Sequence, residues 1–437
     1  MIKTLNCKSK NYKNKLINLL ELRRSVKSVD TSIVSKILKD IKKNGNKALL
    51  KYEKRLSQNS NIISTSNEIN KAIRSLDPKV KKAIDFAYNK ISHFHKKQLK
   101  SLKNISYIDN LKNKLEYRTI PISKLGIYTP SGLPTSLLMT ATLARLAKVK
   151  NIVLATPKIN GELNSAIMYV AKKTGIKSIL NCGGAQAIAA LAYLKHCEKI
   201  VGPGNSWVAE AKRQLSGKII GTEAAYAGES EICVIADKKT SINQIIWSLL
   251  GQSEHSQGSQ SILITKDQHV INKVKKEIPK ALKSLPRKKI ATKAIRNNCI
   301  LIKAKSDQNI IELVNLISPE HLEINCKKHS KYSKSIINAG SIGIGKYSPV
   351  AASIMCGENS AMVLTDMGVV GPNHILPTHM SSKYSSGLNI NEMVKKISVV
   401  TMSKKSIEKI GNHAITLSEY EGLRGHTQSI LSRMRRK

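Results

Sequence analysis

The stretch Ile317-Ser318-Pro319-Glu320-His321-Leu322-Glu323-Ile324 sets a carboxylate and an imidazole side by side, just beyond a helix-like run over 309–317. Glutamate and histidine are the usual side chains for proton transfer near neutral pH, histidine with its ordinary pKa and glutamate once its own is tuned. Pro319 pushes Ser318 out of the helical region, so the helix is expected to stop there. Neighbouring residues share neither a helix face nor a strand face, and an irregular backbone at an element end is the natural way to aim both at one cleft. A solvated loop would carry such a pair in most proteins. The company it keeps argues otherwise.

Four further clusters carry side chains able to ligate or to hydrogen-bond. Gln252-Ser253-Glu254-His255 closes a helix expected over 242–255, and residues three apart project from one helix face. Histidine is a common zinc ligand and a glutamine oxygen an unusual one, although a lone histidine at a helix end more often meets the terminal carbonyls. Gly371-Pro372-Asn373-His374-Ile375-Leu376-Pro377-Thr378 holds a histidine between turn formers, with Asp366 upstream. Glu421-Gly422-Leu423-Arg424-Gly425-His426 lies near the C-terminus, and Ala227-Gly228-Glu229-Ser230-Glu231 puts a hydroxyl at the start of a strand. Two glycine-rich turns, Gly183-Gly184-Ala185-Gln186 and Gly202-Pro203-Gly204-Asn205, suit a phosphate at a helix N-terminus. The dinucleotide fingerprint G-x-G-x-x-G is not met, because Trp207 sits where its last glycine belongs.

The elements that must position these groups alternate in type. Residues 1–122 read mainly as helices, one over 31–43 ended by Gly45 and another over 78–99, before strand-like alternation over 114–122. From Lys124 short apolar strands (125–128, 152–155, 178–182, 199–201, 232–237) alternate with helices (135–147, 163–174, 185–194, 207–215). Continuous apolar strands separated by helices indicate a parallel sheet covered on both faces. The alternation repeats with strands at 261–265, 298–303 and 341–345 and helices at 242–255, 270–285 and 309–317. The expected organisation is an N-terminal helical segment (1–122) on the second α/β unit, a first α/β domain (123–231), a second (232–380) and a C-terminal helical segment (381–437).

Composition bounds the rest. A chain of 437 residues is too long for one core. Seven cysteines at scattered positions, with no C-x-x-C pair, point to reduced thiols in the cytoplasm. No apolar run is long enough to span a bilayer, so no membrane partner is expected. The net charge of +44 raises nucleic acid as a partner. Lysine is spread over the whole length and aromatics make up only 4%, so the charge reads as compositional bias and not as a nucleic-acid surface.

In this order the motifs resemble the histidinol dehydrogenase family over nearly the whole chain. The resemblance runs from Gly126-Ile127-Tyr128 through Gly183-Gly184-Ala185-Gln186-Ala187 and Val201-Gly202-Pro203-Gly204-Asn205. It continues through Gln252 and His255, Pro319-Glu320-His321-Leu322-Glu323, the loop 371–378, and Glu421-Gly422-Leu423 with His426. It implies a homodimer of two incomplete Rossmann-like parallel-sheet domains with helical N- and C-terminal segments. The implied reaction is oxidation of L-histidinol through L-histidinaldehyde to L-histidine with two NAD. One zinc per subunit would be held by Gln252, His255, Asp366 and His426, the last from the other subunit. His321 would take the alcohol proton and Glu320 would activate water. Ser230, His374 and Glu421 would line the substrate site, and Tyr128, Gln186 and Asn205 would contact NAD.

The chain departs from the family pattern in three places: the loop 129–134 is short, Glu229 stands where proline is usual, and a longer segment, 353–365, precedes Asp366, which leaves Glu358 as a rival ligand. A paralogue acting on another amino or sulfonated alcohol and a basic nucleic-acid-binding protein are the competing readings. The retained set of Gln252, His255, Glu320, His321, His374, Glu421 and His426 favours the dehydrogenase.

Overall fold

Strands buried on both faces need apolar residues at every position, and the first sheet is built from such runs. In the computed structural model, which describes residues 2–25, 29–223, 228–353, 364–365, 368–369 and 376–434, five parallel strands form this sheet. Their order is Ser178–Leu180, Asn151–Ala155, Lys124–Tyr128, Lys199–Val201, Gly221–Thr222. A second parallel sheet has six strands, in the order Lys3–Asn6, Cys299–Lys303, Gln260–Thr265, Glu231–Ala236, His321–Asn325, Ser341–Ile344. In both, the earliest strand of the α/β run is central. The next two step outward on one side, and the fourth and fifth return to the other. That is the doubly wound order, with a switch point between the first and fourth strands.

Alternate residues of each strand feed opposite faces. Leu125, Ile127, Leu154 and Val201 pack under the helices Pro78–Gln98, Pro134–Leu146 and Ser165–Lys173. Val153, Ala155, Leu180 and Ile200 pack under Thr31–Ser57, Gly184–Ala189 and Ser206–Leu215. The second sheet divides likewise. Cys233, Ile235, Ile262 and Leu322 face the helices Tyr12–Ser25 and Asp307–Ile317, while Ile232, Val234, Leu263 and Leu301 face Ile242–Ser253, Gln268–Leu282 and Lys288–Asn298. No described helix is long and apolar enough to cross a membrane.

The termini differ from expectation in two ways. Only the helix Tyr12–Ser25 of the N-terminal segment packs on the second sheet, and the helices from Thr31 to Gln98 cover the first. Gly45 ends the first helix as expected: its non-helical backbone (φ 58°, ψ −137°) divides Thr31–Ser57 into two helices, and Ala48 and Leu49 of the second are buried with Ile37 and Ile41 of the first. The C-terminal segment is not all helical. Its strand Val394–Thr401 pairs antiparallel with Lys114–Pro121, which pairs with Ile105–Ile108, before the helices Lys404–Tyr420 and Arg424–Met434.

One turn holds the first sheet's carboxyl edge tight. Gly202 has φ +116°, and a Cβ there would lie 2.0 Å from the carbonyl oxygen of Tyr128. Gly161 also has a positive φ (+81°), but no atom lies near its Cβ position. Gly161→Ala should therefore cost only the conformational penalty of about 1–2 kcal/mol. Gly202→Ala should cost distinctly more, measured as the shift in denaturant midpoint. Equal losses would show that the close approach of the two strands plays no part.

Candidate active site

The helix Asp307–Ile317 ends where Pro319 demands it, with Ser318 in the left-handed region (φ 49°) and its N–H bonded to Val314 O at 2.7 Å. The chain then turns directly into the central strand His321–Asn325. Glu320 and His321 thus stand at the amino end of a strand with neighbours on both sides, and both are essentially buried (0% and 1% exposed). Glu320 Oε1 lies 3.7 Å from His321 Nε2, and His321 Nδ1 is 2.9 Å from Ser341 Oγ on the next strand. The other carboxylate oxygen, Oε2, accepts the backbone N–H of Glu231 at 2.9 Å.

Burial drives the Glu320 carboxyl well above the ordinary glutamate range. The Glu231 N–H opposes that rise, the Glu231 charge adds to it, and the Arg23 guanidinium opposes it again. Arg23 and Glu231 form a buried ion pair. Arg23 also donates from Nε to Gly258 O at 2.9 Å and from Nη2 to Glu229 O at 2.8 Å, while Glu231 Oε1 accepts from His379 N at 2.9 Å. One guanidinium thereby ties the turn before Gln260–Thr265 to the start of Glu231–Ala236. Glu229 is half-buried beside it, its carboxyl raised by burial and lowered by Arg23.

Gln252 and His255 arrive at the same edge. Their helix runs back antiparallel to the strand before it, so its C-terminus lies where the strands begin. Ser253 Oγ is 2.7 Å from Ser261 Oγ in the strand Gln260–Thr265, and Gln260 N bonds to Ser230 O at 2.9 Å. Both Gln252 and His255 are buried. Ser230 Oγ, Gln252 Oε1 and Glu320 Oε1 are buried oxygens without a hydrogen-bond partner among the described residues. Buried polar atoms are nearly always satisfied, so three orphans at one sheet edge mark a place built to receive another group. An uncharged oxygen and an imidazole fit a borderline metal such as zinc and also a polar substrate.

The residues expected to meet the dinucleotide lie at the opposite kind of edge, the carboxyl end of the first sheet. Tyr128 ends its first strand, and its hydroxyl accepts Gly184 N–H at 3.3 Å. Asn205 caps the helix Ser206–Leu215 through Val208 N at 3.2 Å, just past the switch point. Gln186 is buried, with Nε2 donating to Glu53 Oε1 at 2.9 Å. Glu53, fully buried and raised by burial, also accepts Gly183 N–H at 3.1 Å, so it supports this turn from beneath.

Asp366, Glu358 and His374 lie outside the described residues. Glu421 and His426 are exposed on the C-terminal helical hairpin, and among the described residues no group of three or more His, Cys, Asp and Glu is arranged to hold a metal. Six cysteines are free and Cys356 lies outside the described residues. Arg23, Glu231, Ser341 and Glu53 escaped the sequence reading. Glu231 alone had a signal, as an acid opening an apolar strand in a chain poor in acids.

Comparison with known proteins agrees along the whole length. The sequence model of the family described as histidinol dehydrogenase matches residues 22–434. Histidinol dehydrogenase of Pelagibacter ubique is 48% identical over 444 residues, covering 100% of both chains. Histidinol dehydrogenase 1 of a Nostoc species is 35% identical, covering 98% of each. The crystal structure of histidinol dehydrogenase from Elizabethkingia anophelis superposes with a TM-score of 0.86 at 31% identity, covering 99% of this chain and 98% of that one. With that identity, coverage and shared architecture, the chain belongs to the histidinol dehydrogenase family of oxidoreductases.

Proposed function

We propose that the chain oxidises L-histidinol through L-histidinaldehyde to L-histidine in the cytoplasm, reducing two NAD, as a homodimer with one zinc per subunit. The observation that carries this reading is the buried Glu320–His321 pair, with the unsatisfied oxygens of Ser230, Gln252 and Glu320 at one edge. In the first oxidation His321 Nε2 takes the alcohol proton. Its Nδ1 contact with Ser341 Oγ fixes the ring, and donation from Nδ1 selects the tautomer with a basic Nε2. In the second, Glu320 Oε1 draws a proton from the water that attacks the aldehyde carbon. Both groups are shielded from bulk water, and Ser230 offers a hydroxyl beside them.

Gln252 and His255, with Asp366 or its rival Glu358 and with His426 from a second copy, would hold zinc, which supplies Lewis-acid anchoring of the substrate when bound. Tyr128, Gln186 and Asn205 would meet NAD, which takes up the hydride. His374, and Glu421 from the second copy, would complete the substrate site. The homodimer is supported by the C-terminal surface, where Leu417, Tyr420 and Leu423 are exposed along with Ile105, Tyr107 and Val400 of the three-stranded sheet.

Purified protein given L-histidinol and NAD should form two NADH per substrate, lose activity to a chelator and regain it with zinc. No turnover with zinc restored would overturn the assignment.

The acid limb of the rate profile follows from Glu320. A carboxyl raised by burial stays protonated to higher pH, so the form able to act as base grows in as pH rises through that raised pKa. Glu320→Gln should lower overall turnover by about 10²–10⁴. Arg23→Gln removes a cation that holds the Glu320 pKa down, so the limb should move to higher pH. An unmoved limb in a variant that is folded by circular dichroism would remove Arg23 from this role.

Sharing of sites can be read by mixing. His255→Asn and His426→Asn are each expected to be inactive, yet unfolding and refolding them together should restore about a quarter of wild-type activity through mixed dimers with one intact site. A mixture as inactive as its parents would place His426 in its own subunit's site.

A further inference from the structure

The second sheet has an unused edge. Its catalytic candidates sit where the strands begin, whereas ligands of doubly wound sheets bind beyond the carboxyl ends, at the switch point. There, between the ends of the strands Glu231–Ala236 and His321–Asn325, lies a cavity of about 340 Å³. That is the small end of the range for ligand pockets.

The lining has two characters. Ile235, Ala236 and Ile310 form an apolar floor, and Tyr332 is buried at its side. Around the mouth stand Lys238, Lys239, Lys266, Lys327 and Lys328. Five of the thirteen lining residues are lysines, while lysine and arginine together are 73 of 437 in the chain, so this is denser than the general lysine bias. The two aspartates in the lining are already occupied. Asp237 accepts Lys239 N and Lys327 N, each at 2.8 Å, and Asp267 accepts His269 N at 2.8 Å and Val270 N at 3.3 Å. Lys266 and Lys328 are paired with Asp307. Lys238, Lys239 and Lys327 are exposed, with no ion pair among the described residues. They extend from the loops that follow the first and fourth strands, and Asp237 ties those loops together through the Lys327 N–H.

We infer that this carboxyl-edge cavity is a second ligand site, for a nucleoside phosphate whose base enters the cavity and whose phosphates meet Lys238 and Lys327 at its mouth. The site lies across the sheet from Glu320 and does not depend on how NAD is bound.

Full-length protein titrated with ADP in the presence of saturating NAD tests it, since ADP also resembles half of NAD. One ADP per chain should bind, more weakly as salt rises, and at least about tenfold more weakly in K238Q/K327Q. Histidinol oxidation should be unchanged in that variant, because neither lysine belongs to the catalytic cluster. Should NAD fail to bind at all, ADP binding at this site would still persist in Asn205→Ala and weaken in K238Q/K327Q. No ADP binding either with or without NAD, an affinity unchanged in the double variant, or pyrophosphate binding as tightly as ADP would each overturn the proposal.

Discussion

A carboxylate buried at the start of a central strand must find donors or surrender its charge. Glu320 does part of each. It takes the Glu231 N–H on one oxygen and leaves the other facing His321, and burial keeps its pKa high. Glu231 crosses back to accept the Glu320 N–H at 3.3 Å, so the two glutamates brace each other's backbone across adjacent strands. Two such carboxylates would repel, and Arg23 is what makes the arrangement tenable. It pairs with Glu231 and anchors the turns on either side. A broken buried pair leaves an uncompensated charge that costs about 3–5 kcal/mol. The edge is therefore rigid wherever the proposed chemistry requires fixed distances.

That rigidity explains why the amino edge of a parallel sheet can serve as a site at all. Amino edges lack the widening crevice of the switch point, and a site there must be assembled from what comes back to it. The helix Ile242–Ser253 returns Gln252 and His255, the helix Asp307–Ile317 delivers Glu320 and His321 through a left-handed Ser318, and the first helix delivers Arg23. The residues proposed to meet NAD stand instead at the first sheet's carboxyl edge, where Gly202 allows the fourth strand's turn to press against Tyr128. The proposed function thus draws on opposite ends of two units whose α/β strands run in the same order.

Much of this was legible in the residues. The strands 125–128, 152–155 and 261–265 announced themselves by continuous apolar runs, and Pro319 placed the helix end correctly. What failed has physical causes. The strand His321–Asn325 was missed because His321, Glu323 and Asn325 break the continuous apolar run expected of a strand buried on both faces, yet Glu323 is satisfied internally by Ser248 Oγ at 2.5 Å and Val350 N at 2.9 Å. The strand Val394–Thr401 owes its existence to pairing with Lys114–Pro121, nearly three hundred residues earlier, which no local pattern records. Arg23 looked like one basic residue among many, because its meaning lies in partners more than two hundred positions away.

The scarcity of acids sharpens the point. Acidic residues number 29 against 73 basic ones, yet Glu53, Glu231, Glu254, Glu320 and Glu323 are all buried. Glutamate is among the residues least often buried, and a compositional drift toward lysine acts on surfaces, where charge is cheap. Five buried glutamates therefore cannot be a by-product of composition; each has to be held by specific donors. Glu53 takes the Gly183 turn and Gln186, Glu323 takes Ser248, and Glu231 takes Arg23. Glu53 Oε2 and Glu320 Oε1 are both buried without a hydrogen-bond partner among the described residues, and Glu320's free oxygen faces the His321 imidazole at 3.7 Å. A carboxylate so costly to bury, left half-satisfied beside His321, fits the proposed role of a base for water.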